Sequence, residues 1–154
     1  MSDPATDHDR LELAGRLCEA PAVTAALLRE VMNQAGRVGR PGDCERSAQI
    51  DRLIAAGASA DAALALIDLA LPNWHVRRIA YDGGAWYCAL SRERELPDWL
   101  DQAAEAWHAD LALSILSAFI EAQRISERPT RSSVPAVPFK AEPLSIVACC
   151  DNFA

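Results

Sequence analysis

The residues whose types and spacing come nearest to a chemical motif are Glu105 and His108, in the order Glu-Ala-Trp-His. Residues three apart share a face if this segment is helical, and di-iron bundles use that spacing to bind metal. Those sites need two such motifs and two more carboxylates, whereas this sequence has one copy. His75 and Asp110 could complete a mononuclear site, but Asp110 would point away from His108 on a helix. The pattern therefore favours a hydrogen-bonded histidine near a helix start.

Arginines form a second group, because Arg77 and Arg78 together with Arg92 and Arg94 could make a small basic surface. Acidic residues alternate with the second pair, so paired surface charges explain the pattern equally well. The chain carries 15 basic and 22 acidic residues, for a net charge of −7. Nucleic-acid binding depends on neutralising several phosphates with Lys or Arg. The composition therefore disfavours a nucleic-acid partner.

Aromatic residues form the third group, with Trp74, Trp86 and Tyr87 close together on a predicted hairpin. Such side chains could stack on a ligand or on a base. Hairpin aromatics more commonly pack across strands or against a covering helix. We therefore expect a packing role and retain these residues as a candidate ligand or partner surface.

The remaining reactive residues do not form a catalytic pattern. The five cysteines are scattered without a C-x-x-C pair, which is typical of reduced cytosolic thiols. Cys88 is predicted to be a small buried residue, and Cys149 and Cys150 to be exposed and oxidisable. The sequence contains no P-loop, no G-x-G-x-x-G and no G-x-S-x-G. We predict no catalytic residue, no cofactor and no metal, and the protein is not expected to be an enzyme.

The elements that must position these side chains belong to an α+β fold. Helices are predicted at Cys44–Ala56, after an Asp43 cap, and at Ala60–Leu71, after a Ser59 cap. Gly57 is suited to the left-handed conformation between them, and Pro72 ends the second helix. We expect these two helices to lead into the hairpin.

The hairpin is predicted from strands at Trp74–Tyr81 and Ala85–Leu90, turning at Asp82-Gly83-Gly84. Val76 and Ile79 would face opposite sides of a regular strand, so we expect a bulge near Arg77. The charged segment Ser91–Glu95 is either a loop or a short third strand.

A long helix is predicted to follow, from about Asp101 or Ala104 to Gln123. Its apolar positions cover a wide arc and include Trp107, Ile115 and Phe119. A helix apolar on so wide an arc is buried on more than one side. We expect it to cover the hairpin and to contact the preceding helices.

Four segments follow from this pattern. Residues 1–9 are predicted to be disordered, 10–42 to form a helical pair that packs on the core, 43–125 to form the α+β core, and 126–154 to be a proline-rich flexible tail. The pair has helices from Arg10 and over about Ala22–Ala35, starting near Thr24 or Pro21. Its small apolar surface predicts packing on the core or on another copy.

The core sequence resembles a group of short uncharacterised bacterial proteins. The residues that carry the likeness include Leu71-Pro72-x-Trp74, Tyr81-Asp82-x-Gly84-x-Trp86-x-Cys88, and Ala112-Leu113-x-Ile115-Leu116. The order of helix, Leu-Pro-x-Trp, hairpin and helix is similar to that of alphaproteobacterial and phage-related proteins. The resemblance covers residues 50–122 and implies this architecture, without an activity.

Three functional hypotheses follow from the sequence. The leading one is a small non-catalytic protein of the cytoplasm that binds another protein or itself. The alternative is a ligand-binding or enzymatic domain with a pocket between hairpin and last helix, rimmed by Trp86, Tyr87, Glu105 and His108. The third is a nucleic-acid binder using Arg77 and Arg78. The acidic first residues predict no export signal. No stretch reaches the roughly 18–20 apolar residues that span a membrane.

Overall fold

Helices and strands occupy separate stretches of the chain, as is typical of an α+β fold. The computed structural model describes residues 4–35, 42–92 and 102–127. Within these ranges the elements are α1 (Pro4–Glu19), α2 (Ala25–Gln34), α3 (Asp43–Ala55), α4 (Ser59–Ala70), β1 (His75–Asp82), β2 (Ala85–Ser91), β3 (Ala104–His108) and α5 (Leu111–Glu127). The predicted fold class is confirmed.

The three strands form one antiparallel sheet in the order β1-β2-β3. Gly83 and Gly84 connect the first two strands and both have positive φ, 59° and 91°. A two-residue turn with positive φ at both positions matches the right-handed twist of the flanking strands. The register shifts between Val76 and Arg78, which confirms the bulge expected near Arg77.

The two faces of the sheet differ because successive side chains on a strand point to opposite sides. Cys88, Leu90 and Ala104 are fully buried and face the helices. Tyr87 and Trp107 are direct cross-strand neighbours of the opposite parity, and Trp107 is 58% exposed. The helices therefore cover one face of the sheet. On the other face Ala89 and Ser91 are also buried, and the side chain of Trp107 reaches solvent nearer the hairpin turn.

Helix α5 lies at the centre of the molecule. It packs on β2 and β3 with one side and on α4 and α1 with others. This confirms the prediction that the last helix is apolar on a wide arc and buried on several sides. Its buried residues are Ala112, Leu113, Ser114, Ile115, Leu116, Ala118, Phe119, Ile120, Ala122 and Gln123.

The N-terminal helical pair packs on this core, α1 against α5 and α2 against α4. Thr24 caps α2, since its hydroxyl oxygen accepts from the Leu27 amide at 3.2 Å. Arg10 is only 5% exposed and makes a two-pronged ion pair with Glu127, the last residue of α5. Because α1 begins at Pro4, residues 4–9 are helical and not disordered as predicted.

The start of the long helix was predicted wrongly. Residues 104–108 form the third strand, and α5 begins at Leu111. The segment is rich in alanine and glutamate, which favour helices, but tertiary pairing with β2 overrides that weak preference. The true start is set by Asp110, whose Oδ1 accepts from the Leu113 amide at 3.1 Å.

The other predicted boundaries shift by small amounts. The helix α3 includes Asp43 as its first residue, and α4 is preceded by Ala58, so neither Asp43 nor Ser59 is the cap. Gly57 has φ 75°, as its predicted position requires. Ser91 ends β2. Residues 93–95, and all of the predicted tail beyond Glu127, lie outside the described ranges.

Candidate functional site: the outer face of the sheet

The predicted Glu105–His108 pair does not converge on one face. Both residues lie on β3, where residues three apart point to opposite sides of the sheet. Glu105 accepts a hydrogen bond from the Tyr87 hydroxyl at 2.8 Å. The Nδ1 atom of His108 accepts from the Asp110 amide at 2.9 Å. The segment is therefore not a helical metal motif. His108 is hydrogen-bonded as expected, but it lies at the end of a strand that precedes the helix and not on the helix itself.

His75 cannot join these residues either. The sheet register places His108 beside Trp86 near the hairpin turn and His75 beside Ser91 at the other end. Trp86 and Ser91 lie at opposite ends of β2, so the two levels are roughly 17 Å apart along the strand. In the described part of the chain no group of three or more His, Cys, Asp and Glu side chains is arranged to hold a metal ion.

Trp74 has the packing role that the sequence favoured. It is 3% exposed, and its indole Nε1 donates to the Ser126 hydroxyl at 2.9 Å. The guanidinium of Arg92 lies 5.2 Å from the centre of the Trp74 ring, within the range of a cation–π contact. Trp74 therefore joins the start of β1 to the end of α5 and is not part of an accessible surface.

Trp86 and Tyr81 pack together near the hairpin turn. Their ring centroids are 5.0 Å apart, and the two residues are direct partners in the β1–β2 ladder. Trp86 is partly buried and Tyr81 is 61% exposed. They have the same parity as Cys88, so they belong to the helix-facing side of the sheet, beyond the part that α5 covers.

The opposite side carries a second aromatic pair. Tyr87 and Trp107 lie side by side on β2 and β3, with ring centroids 4.6 Å apart. Tyr87 is held by Glu105 through its hydroxyl. Arg78 and Ala80 complete this side on β1, opposite Ala89 and Tyr87 in the register. We call Arg78, Ala80, Tyr87, Glu105 and Trp107 the outer sheet face.

The electrostatics of the outer sheet face are set by one hydrogen bond and two charges. Partial burial and the hydrogen bond to Glu105 raise the pKa of Tyr87 to about 12, while the nearby Arg78 acts in the opposite direction. The phenol is thus a fixed hydrogen-bond donor at neutral pH. Arg78 and Glu105 are both exposed and flank the sheet on opposite edges. The face therefore carries one positive and one negative border.

The proposed basic surface is not assembled as expected. Arg77 and Arg78 are exposed on β1, at the bulge, whereas Arg92 lies over Trp74. Arg94 lies outside the described residues. Of the arginines considered, Arg78 is the one on the outer sheet face. The negative charge of Glu105 on the opposite edge leaves this face without a net positive charge.

The expected ligand pocket between hairpin and last helix would need Trp86, Tyr87, Glu105 and His108 at one rim. The strand geometry separates them, because Tyr87 and Glu105 face away from α5. A cleft of about 410 Å³ instead lies between α1 and α2, lined by Asp9, Glu12, Leu13, Arg16, Glu30, Asn33 and Gln34. This cleft contains none of the candidate residues.

The described cysteines support the structural interpretation. Cys88 is fully buried, and burial raises its pKa to about 11, so it is a poor nucleophile. Cys18 and Cys44 are free and exposed on helices. Cys149 and Cys150 lie outside the described ranges, so the prediction that they are exposed stays a prediction.

Trp107 is the functional candidate that sequence reasoning missed. It was assigned to the buried stripe of a helix because its spacing to Leu111 and Ile115 fits a helical repeat. The signal that could have found it is alternation over residues 104–108, where small residues alternate with larger ones. Asp110, directly before an apolar run, also marks the true helix start.

Comparison with protein-family models, with curated proteins and with solved structures gave no match to this chain. In the described ranges, none of the helices combines the length and the apolar character needed to cross a lipid bilayer.

Proposed function

We propose that this protein is a non-catalytic protein of the cytoplasm that binds a protein partner through its outer sheet face. The observation that carries the proposal is the placement of Trp107, a large aromatic residue that is 58% exposed and packed against Tyr87. Tryptophan and tyrosine are enriched where proteins bind one another, since they bury a large area and lose little side-chain freedom.

The surroundings of Trp107 support binding over simple exposure. Its ring is supported on one side by Tyr87, and Tyr87 is fixed by Glu105. A side chain already held in place loses less entropy when a partner arrives. The charged groups Arg78 and Glu105 border the aromatic pair, as polar residues border the apolar centre of known interfaces.

The cytoplasmic location is supported by the cysteines. Cys18 and Cys44 are exposed and unpaired, and such free thiols persist in reducing compartments. The interaction hypothesis is supported further by the separation of Glu105 from His108, since their opposite orientation separates two residues of the alternative ligand-binding rim.

Photo-cross-linking tests the proposed surface. A photoreactive amino acid replaces Trp107 in the full chain, and the protein is irradiated in cells of the source organism. We expect discrete protein adducts, because position 107 would lie inside the interface. A matched probe at Asp68, exposed on α4, should give none of them. Equal adducts at the two positions, or no adduct at 107, would overturn the proposal.

A further inference from the structure

The side chains of the outer sheet face are arranged so that the face is complementary to the same face of a second copy. We propose that it is a homodimer interface, in which two copies stack their sheets face to face. This inference rests on the proposed function and specifies its partner as a second copy of this chain.

The first part of the argument is charge. Arg78 on β1 and Glu105 on β3 occupy the same level of the sheet, since both pair with Ala89 of β2. A two-fold axis parallel to β2, between the stacked sheets, places β1 of each copy over β3 of the other. Each Arg78 then faces the partner copy's Glu105, and the symmetry forms two such ion pairs. Within the described ranges Arg78 has no ion pair of its own.

The second part is shape, at the neighbouring level of the sheet. There the order across the strands is Ala80, Tyr87 and Trp107, from small to large. The same two-fold axis places each Trp107 over the partner copy's Ala80 and the two tyrosines over each other. Each Trp107 thus meets a small residue, while the two Tyr87 rings meet at the axis between sheets about 10 Å apart.

The opposite choice of axis is disfavoured. A two-fold axis running across the strands would stack β1 on β1 and β3 on β3. The row of side chains that contains Arg78 and Glu105 would then lie over the partner copy's row that contains Ala80 and Trp107. Glu105 would face the partner copy's Trp107, and no ion pair would form. The axis along β2 satisfies both levels at once, which is why the order of side chains on this face points to a second copy.

The size of the face sets the strength of the dimer. Three strands about 4.8 Å apart, with β3 five residues long, give a contact of roughly 15 by 17 Å. A footprint of about 255 Å² per copy is well below the roughly 800 Å² per partner of a standard stable interface, so the dimer is a weak, transient one. We therefore expect a dissociation constant in the micromolar range or weaker, and weaker association at high salt, because the ion pairs lie at the rim.

Sedimentation equilibrium of the full chain, from about 1 to about 500 μM, brackets this affinity. Arg78→Glu and Glu105→Arg should each weaken self-association at least about tenfold, because each places like charges opposite one another. An equimolar mixture of the two variants should restore dimers, since the carboxylate introduced on β1 of one copy would then face the guanidinium introduced on β3 of the other. The double variant should also dimerise, with both pairs reversed.

Control substitutions carry the same charge changes elsewhere. Arg46→Glu on α3 and Asp68→Arg on α4 are exposed and should leave dimerisation unchanged. A wild-type chain that stays monomeric at the highest concentration overturns the dimer. A dimer that the single variants do not weaken, or that their mixture does not restore, overturns this face and axis. If the chain is monomeric while position 107 cross-links to another protein, the dimer fails and the proposed function stands.

Discussion

At the scale of single residues, the outer sheet face depends on the hydrogen bond between Tyr87 and Glu105. The phenol donates at 2.8 Å, and the bond orients the ring against which Trp107 packs. Partial burial is the largest cause that raises the pKa of Tyr87 to about 12, and the Glu105 carboxylate adds to it because its hydrogen bond and its charge both stabilise the protonated phenol. The Glu105 carboxylate thus positions Tyr87, and the effect of removing it can be measured as a change in the pKa of Tyr87.

Glu105→Gln should lower the pKa of Tyr87 from about 12 towards its ordinary value of 10.0. The amide removes the negative charge but can still accept a hydrogen bond, so Glu105→Ala should lower it further. Absorbance of the phenolate reports the titration, in a Tyr81→Phe background that leaves Tyr87 as the one remaining tyrosine. Glu121→Gln on α5 is the control and should leave the curve in place. An unchanged curve for Glu105→Ala would show that the hydrogen bond does not form.

At the scale of elements, local signals predicted those parts of the fold that depend on local physics. The Gly83-Gly84 turn and the left-handed Gly57 follow from backbone conformations that few residues can adopt. The bulge between Val76 and Arg78 follows from the need to place Val76 and Ile79 on one face. Pro72 likewise follows the end of α4. Each of these was correctly predicted because the deciding residue lies within the element that it controls.

The third strand was missed because its cause is not local. Residues 104–108 gain their strand conformation by pairing with β2, across an intervening segment of the chain. Alanine and glutamate favour a helix when judged alone. The helical spacing of the apolar residues of α5 also extends into residues 104–108, which conceals the boundary between β3 and α5. The error placed Trp107 in the core, so the outer sheet face could not be found from the sequence.

The boundary between β3 and α5 depends on Asp110, which makes two hydrogen bonds from one carboxylate. Oδ1 caps α5 at the Leu113 amide, and Oδ2 accepts from the Val23 amide at 3.4 Å, before α2. We expect Asp110→Ala to lower the free energy of unfolding by about 1–2 kcal/mol, because the helix loses its cap and a backbone donor loses its partner. Urea denaturation measures the change.

Two substitutions control this measurement of Asp110. Asp110→Asn keeps an oxygen that can accept from the Leu113 amide, so it should cost less than Asp110→Ala. Asp68→Ala, at an exposed position of α4, should change stability by less than about 0.5 kcal/mol. If Asp110→Ala were as stable as Asp68→Ala, the helix would not depend on this cap.

At the scale of the whole molecule, two ionisable side chains of the sheet make the protein less stable at alkaline pH. The pKa of Cys88 is raised by burial from 9.0 to about 11, and that of Tyr87 from 10.0 to about 12. In both cases the folded protein keeps a proton that the unfolded chain releases at lower pH. The contribution of these two groups to the free energy of unfolding is therefore fully present below pH 9. It is lost as the pH rises from about 9 to about 12.

Chemical denaturation at intervals between pH 8 and pH 11 should show this loss. Cys88→Ala is expected to be less stable than the wild type at pH 8, because it leaves a small cavity beside Leu90 and α5. Above pH 9 its stability should fall less steeply, so that the gap narrows by on the order of 1 kcal/mol. Cys44→Ala removes an exposed thiol and should follow the wild-type slope. Parallel curves for Cys88→Ala and the wild type would mean that Cys88 is not held protonated by the fold, and that water reaches the interface between the sheet and α5.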